Sequence, residues 1–179
     1  MTHLILLFVA LQHLGYMALS RRNSARLLAR GGEEVGRRQL PLFIAVYVAW
    51  FAAMAAFIDP GTPPSLWWIG VYLLLQAFRA WVMLSLGEYW TVRVITVPGA
   101  PLVVRGPYRF MRHPNYTLVV GEVVSVPMIF GAWRIAAIMG LLVTLTVFLR
   151  IRVEDAALAP LRKAGSQPGY PASSRSSIS

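Results

Sequence analysis

YTLVVGEVVSVPMIFGAWRIAAIMGLLVTLTVFL, residues 116–149, holds two apolar runs parted by Gly131-Ala-Trp-Arg134, and its only acid is Glu122. A spanning helix needs about 20 mostly apolar residues, with roughly 17–25 tolerated. The runs 116–130 and 135–149 therefore read as a tight hairpin of two short membrane helices. One long segment kinked at Pro127 is the other reading. Upstream, residues 4–19, 41–58 and 66–86 form three further apolar stretches at or close to spanning length. The fold class is all-α: a polytopic transmembrane protein of about five spans.

Composition agrees. Of 179 residues, 57% are hydrophobic and 13% charged, against roughly 45–50% apolar and about 25% charged in soluble domains. Cysteine is absent, which excludes disulfide scaffolds, thiolate metal sites and thiol nucleophiles. His3, His13 and His113 are too few and scattered for a zinc site, so no metal is expected. The first stretch could be a signal peptide, but it lacks a basic start, and Ala18-Leu19-Ser20 offers no clear cleavage site before Arg21-Arg22.

The net charge of +10 follows topology. The loop after the first span holds Arg21, Arg22, Arg26, Arg30, Arg37 and Arg38. The second loop, residues 59–65, holds no basic residue. The third, residues 87–115, holds Arg93, Arg105, Arg109 and Arg112. The fourth has Arg134, and the segment after the last span adds Arg150, Arg152, Arg162, Lys163 and Arg175. Basic loops stay in the cytoplasm, so the N-terminus is expected outside and the C-terminus inside. The charge then needs anionic lipid as its partner and no nucleic acid.

The third loop is the least ordinary stretch. The alternating run Trp90-Thr-Val-Arg-Val-Ile-Thr-Val-Pro-Gly predicts an extended or hairpin segment ending at Pro98-Gly99. Pro114 suits the first turn of the fourth span, with His113 at the helix mouth. Free backbone N–H groups and partial positive charge at such a mouth favour a carboxylate. Interfacial Tyr, Trp and Arg anchors would give the same composition without any chemistry. Glu122 inside a span reads either as a functional group or as a near-interface acid paired with Arg79 of the third span, and on both readings its charge needs a partner. In Arg150-Ile-Arg-Val-Glu-Asp155, Arg150 and Glu154 fall on one helical face. Nucleotide-binding glycine motifs, the nucleophile elbow and the His-Glu-x-x-His motif are missing.

Gly106-Pro-Tyr-Arg-Phe-Met-Arg-His-Pro-Asn-Tyr116, an apolar hairpin and then Arg-Ile-Arg-Val-Glu-Asp together resemble the isoprenylcysteine carboxyl methyltransferase family of integral membrane enzymes, in a small bacterial form. The resemblance spans about residues 86–158. It implies S-adenosylmethionine as cofactor, in a cytoplasm-facing pocket formed by Ala100, Pro101, Leu102, Val103, Tyr108, His113, Pro114, Asn115, Tyr116 and Glu154. Arg150 and Glu154 are the implied catalytic pair, with Arg150 facing the acceptor. Two departures stand out. Thr117-Leu-Val119 follows where many relatives have glycine, and a Ser-rich end replaces a Tyr-rich helix.

Domains follow: residues 1–85 as three spans with a basic loop, 86–158 as the methyltransferase core and 159–179 as a disordered tail. The implied activity is O-methylation of a lipophilic acceptor entering from the bilayer, an isoprenylcysteine or a long-chain polyketide such as an alkylpyrone. An NADPH-dependent sterol-type reductase and a non-catalytic membrane scaffold are the rival readings. The expected location is the bacterial inner membrane.

Overall fold

The computed structural model describes residues 1–100 and 103–165, with side chains as far as residue 159. Five helices follow the apolar runs: α1 (Thr2–Ala29), α2 (Leu40–Phe57), α3 (Leu66–Leu86), α4 (Pro114–Ile129) and α5 (Trp133–Gly165). Their ends obey local chemistry. Prolines open α2 and α4 within the first turn, where the missing N–H costs no intrahelical bond. Asp59-Pro60-Gly61 follows α2. The hairpin turns at Gly131, whose φ of 65° belongs to the left-handed region that glycine enters without a Cβ penalty.

Lengths differ from the sequence expectation at three places. α1 carries Arg21, Arg22 and Arg26 as helix rather than loop, because arginine is a good helix former once a helix is nucleated. α4 has 16 residues, about 24 Å, which is short for a span. Four helices, α1, α2, α3 and α5, are long and apolar enough to cross a membrane. α4 is instead enclosed by protein, with Leu118, Val123, Val126 and Ile129 buried. α5 has 33 residues, about 50 Å, so it outruns any bilayer core and carries Arg150, Glu154 and Asp155 beyond its apolar half. It also continues to Gly165, so the first part of the expected tail is helical, and residues 166–179 lie outside the described residues.

α4 is the hub. It packs extensively on both α3 and α5, and α2 packs on α5. The main core joins Trp50, Met54, Tyr72, Val119, Val123, Val126 and Val143, and the Trp50 indole donates to the Val123 carbonyl at 3.1 Å. Exposed Leu, Phe and Trp side chains cover the outer faces, as a lipid-facing surface requires.

Tertiary bonds sort the loops into two ends. Thr2 donates to the Pro60 carbonyl at 3.0 Å, and the Ser65 amide donates to the Ile129 carbonyl at 2.7 Å. These put the N-terminus, the 59–65 loop and the Gly131 turn together. At the other end, β1 (Glu33–Val35) pairs antiparallel with β2 (Val94–Thr96), with Glu34 opposite Ile95. Arg93 donates to Glu34 at 3.1 Å and Arg30 to Glu88 at 2.5 Å. The alternating run is thus extended, but its partner comes from the first loop instead of from a local hairpin. Most of the arginines collect at this second end, and Arg134 belongs to the first.

Candidate active site

His113 caps α4 with φ −131° and ψ 57° and no side-chain cap bond. Pro114 has no N–H, and the amides of Tyr116 and Thr117 turn back to the His113 carbonyl at 3.1 and 3.5 Å. The carboxylate cradle expected at this mouth therefore reduces to the Asn115 amide. Gly106, at φ 60°, lets the preceding loop lie directly against α3. A Cβ there would meet the Ser85 hydroxyl at 2.0 Å, so no other residue fits. Arg105 then donates to the Ser85 carbonyl at 2.8 Å, which fixes the approach of Tyr108 to the site.

Arg150 and Glu154 do share a face of α5, but they meet through a third group. The Arg150 Nε donates to the Tyr116 hydroxyl at 3.0 Å, and that hydroxyl donates to Glu154 Oε2 at 2.5 Å. A second guanidinium nitrogen, Nη2, donates to the Val92 carbonyl, and the guanidinium carbon lies 5.4 Å from the Phe43 ring centre. Arg150 is buried, so this cation is held by fixed partners in place of water. His113 stands between two acids, with Nε2 3.1 Å from Asp155 Oδ1 and Nδ1 3.8 Å from Glu154 Oε1. Burial raises the Tyr108 phenol above its usual range, and the Glu154 charge adds to the rise. Tyr108 therefore stays a neutral donor at physiological pH.

Apart from Asp155, these groups open onto one cavity of about 780 Å³. Ala100, Val103, Tyr108, His113, Asn115, Tyr116, Arg150 and Glu154 all line it. Pro114 is buried behind it as the first residue of α4. Pro101 and Leu102 lie outside the described residues. The cavity continues between α1 and α2, where Leu14, Met17, Phe43, Tyr47 and Phe51 form its wall. The polar end is thus joined to an apolar end inside the spans.

Sequence reasoning missed Trp90, Val92 and the whole α1–α2 wall. Trp90 is buried and its indole is 3.4 Å from the Asn115 side-chain oxygen. Its place between a span and an alternating strand was the signal. Phe43 and Tyr47, one turn apart in an evenly apolar helix, carry no comparable mark.

The profile of the isoprenylcysteine carboxyl methyltransferase family matches residues 68–160, which takes in most of α3, the third loop, α4 and most of α5. The chain is 33% identical over 159 residues to the uncharacterized protein YpbQ of Bacillus subtilis, covering 87% of this chain and 95% of that one. It is 28% identical over 153 residues to an uncharacterized protein of Haemophilus influenzae, covering 81% and 87%. No solved structure matches the chain.

Proposed function

Because the chain belongs to the isoprenylcysteine carboxyl methyltransferase family, we propose that it transfers a methyl group from S-adenosylmethionine to an oxygen of a lipophilic acceptor. The observation that carries this reading is the single cavity joining the Tyr108–His113–Glu154 end to an apolar wall between α1 and α2. The residues present suit the cofactor. The Asn115 amide can receive a carboxylate, Tyr108 and Tyr116 offer ring faces to a sulfonium cation, and Glu154 can accept from an amine or ribose. Ala100 and Val103 would complete that wall.

The bound sulfonium supplies a methyl group already activated for displacement, so the protein must align the acceptor and keep water out. Arg150 orients the acceptor oxygen, since Nε and Nη2 are held by Tyr116 and Val92 and Nη1 remains to bind it. A carboxylate acceptor, with a pKa near 4, arrives ionised and needs no base. A hydroxyl acceptor loses its proton to Glu154 or Asp155. The apolar wall fits an acceptor arriving from the bilayer, either a long-chain polyketide or an isoprenylcysteine.

Calorimetry of the detergent-purified protein tests this. S-adenosylmethionine is expected to bind and NADPH to give no heat. His113→Ala and Tyr116→Ala should each weaken binding about tenfold or more, since a lost charge-assisted contact is worth about 1.4 kcal/mol or more. Binding of NADPH in place of S-adenosylmethionine would point to a reductase. Unchanged affinity in both variants would move the cofactor elsewhere.

The arginine-rich end is assigned to the cytoplasm, with the N-terminus outside, by the positive-inside rule. Reporters fused after Arg38 and in the third loop are expected to read cytoplasmic, and one after Gly61 external. A cytoplasmic signal at Gly61 would invert the assignment and with it the side from which the cofactor enters.

A further inference from the structure

The last turns of α1 bury a polar stripe. Ser20, Asn23, Ser24 and Leu27 are buried, while Arg21, Arg22 and Arg26 between them are exposed. Helical spacing puts the buried four on one face. A buried polar side chain costs free energy unless it is hydrogen-bonded, so the partners of Ser20 and Asn23 show what the stripe does.

Both bonds go to one short piece of the third loop. The Asn23 side-chain amide donates to the Trp90 carbonyl at 2.9 Å, and the Ser20 hydroxyl accepts from the Val92 amide at 2.9 Å. Residues 90–92 precede the β1–β2 ladder, whose register begins at Val94, so strand pairing does not set their path. α1 does. The segment it fixes reaches the site twice. The Val92 carbonyl accepts from Arg150 Nη2, and the buried Trp90 indole donates to the Asn115 side chain at 3.4 Å. Trp90 and Val92 line the cavity, whereas Ser20 and Asn23 stand outside its lining. Fastening the loop to the helix could use any residue between 87 and 115. Instead the bonds flank Thr91 on both sides and fall on the residue that holds the arginine.

We infer that Ser20 and Asn23 are positioning residues for Arg150: through segment 90–92 they set the Val92 carbonyl, which holds Nη2 and leaves Nη1 toward the acceptor. The role of Arg150 in transfer rests on the methyltransferase reading, but the bracing of its guanidinium does not. Both residues precede residue 68, where the family profile begins, so the first helix completes a site whose other parts lie in the matched core.

The test reads the guanidinium and the reaction separately, in full-length protein carrying isotope-labelled arginine in micelles. A guanidinium held at Nε and Nη2 cannot turn freely, so the wild type is expected to show resolved Arg150 Nη signals in nuclear magnetic resonance, identified by their loss in Arg150→Lys. Ser20→Ala and Asn23→Ala should each merge those signals. Each should also lower turnover about tenfold, or about 1.4 kcal/mol, the scale of one buried hydrogen bond, on whichever of a long-chain hydroxypyrone and a prenylcysteine analogue the wild type methylates. Ser20→Ala should leave S-adenosylmethionine affinity unchanged, and Ser20→Thr, which keeps the hydroxyl, should restore both readouts. In the Arg150→Lys background Ser20→Ala should cost no further turnover, because the group it acts through is gone. Ser24 is buried on the same face with no hydrogen-bond partner, so Ser24→Ala should change neither readout. Resolved signals in both alanine variants, or merging in Ser24→Ala as well, overturn the bracing. Merged signals with full turnover overturn its part in transfer. If Ser20→Ala does not fold, Asn23→Ala decides. A wild type that binds no S-adenosylmethionine, with signals that still merge in the variants, would overturn the methyltransferase reading alone.

Discussion

Arg150→Lys is expected to lower methyl transfer on the order of 100-fold while S-adenosylmethionine still binds. Lysine keeps the charge but not the planar fork. Arg150 uses that fork three ways: Nε on the Tyr116 hydroxyl at 3.0 Å, Nη2 on the Val92 carbonyl, and a face over Phe43. An ammonium on a flexible stem cannot hold an acceptor oxygen in line while keeping the first two, and losing about 3 kcal/mol of oriented, charge-assisted bonding corresponds to roughly 100-fold in rate. Glu154→Gln should behave differently. The amide oxygen can still accept from Tyr116, but the charge is lost, so cofactor affinity should fall about tenfold. Its pH–rate profile should change only with a hydroxyl acceptor, which needs a base. Cofactor affinity by calorimetry and turnover with a long-chain hydroxypyrone and a prenylcysteine analogue separate these outcomes. Full turnover by Arg150→Lys would reduce Arg150 to a basic anchor at the membrane surface.

Much of this geometry was legible in the sequence, for a definite reason. A bilayer requires each crossing segment to satisfy its own backbone and to be apolar over a fixed length, so α1, α2, α3 and α5 show as runs. The same demand hides how they pack. A helix that is apolar all round marks no inner face, so nothing in the α2 sequence shows that Phe43 and Tyr47 line a cavity. α4 escapes the length rule because protein and not lipid surrounds it, and its 16 residues were read as a short span. The pairing of β1 with β2 joins segments about 60 residues apart, and three-residue strands carry too little pattern to find each other. Glu122 was the exception. An acid in a span needs a cation, Arg79 was the one at hand, and the two do pair. At the site, Arg150 and Glu154 fell on one face by helical spacing alone, but the Tyr116 hydroxyl between them depends on how α4 and α5 pack, which spacing does not specify.

That buried pair carries the largest expected effect on stability. Glu122 has no exposed surface and Arg79 is nearly as buried, so neither charge can turn to water when its partner is removed. Glu122→Met leaves the Arg79 guanidinium uncompensated among Gln76, Tyr16 and apolar side chains, and is expected to cost about 3–5 kcal/mol. Arg79→Met strands the carboxylate and should cost a similar amount. Ordinary polar contacts between membrane helices are worth only about 0.6 kcal/mol on average, so a loss of this size reports the stranded charge more than the lost bond. The two mechanisms therefore differ in the double variant. With both groups replaced by methionine no buried charge remains, and the loss should be well below the sum of the single losses. The measurement is reversible unfolding of the four proteins in mixed micelles. Additive losses would mean that the two charges stabilise the fold independently, through separate partners such as Gln76 and His13, and that they do not act as one ion pair between α3 and α4.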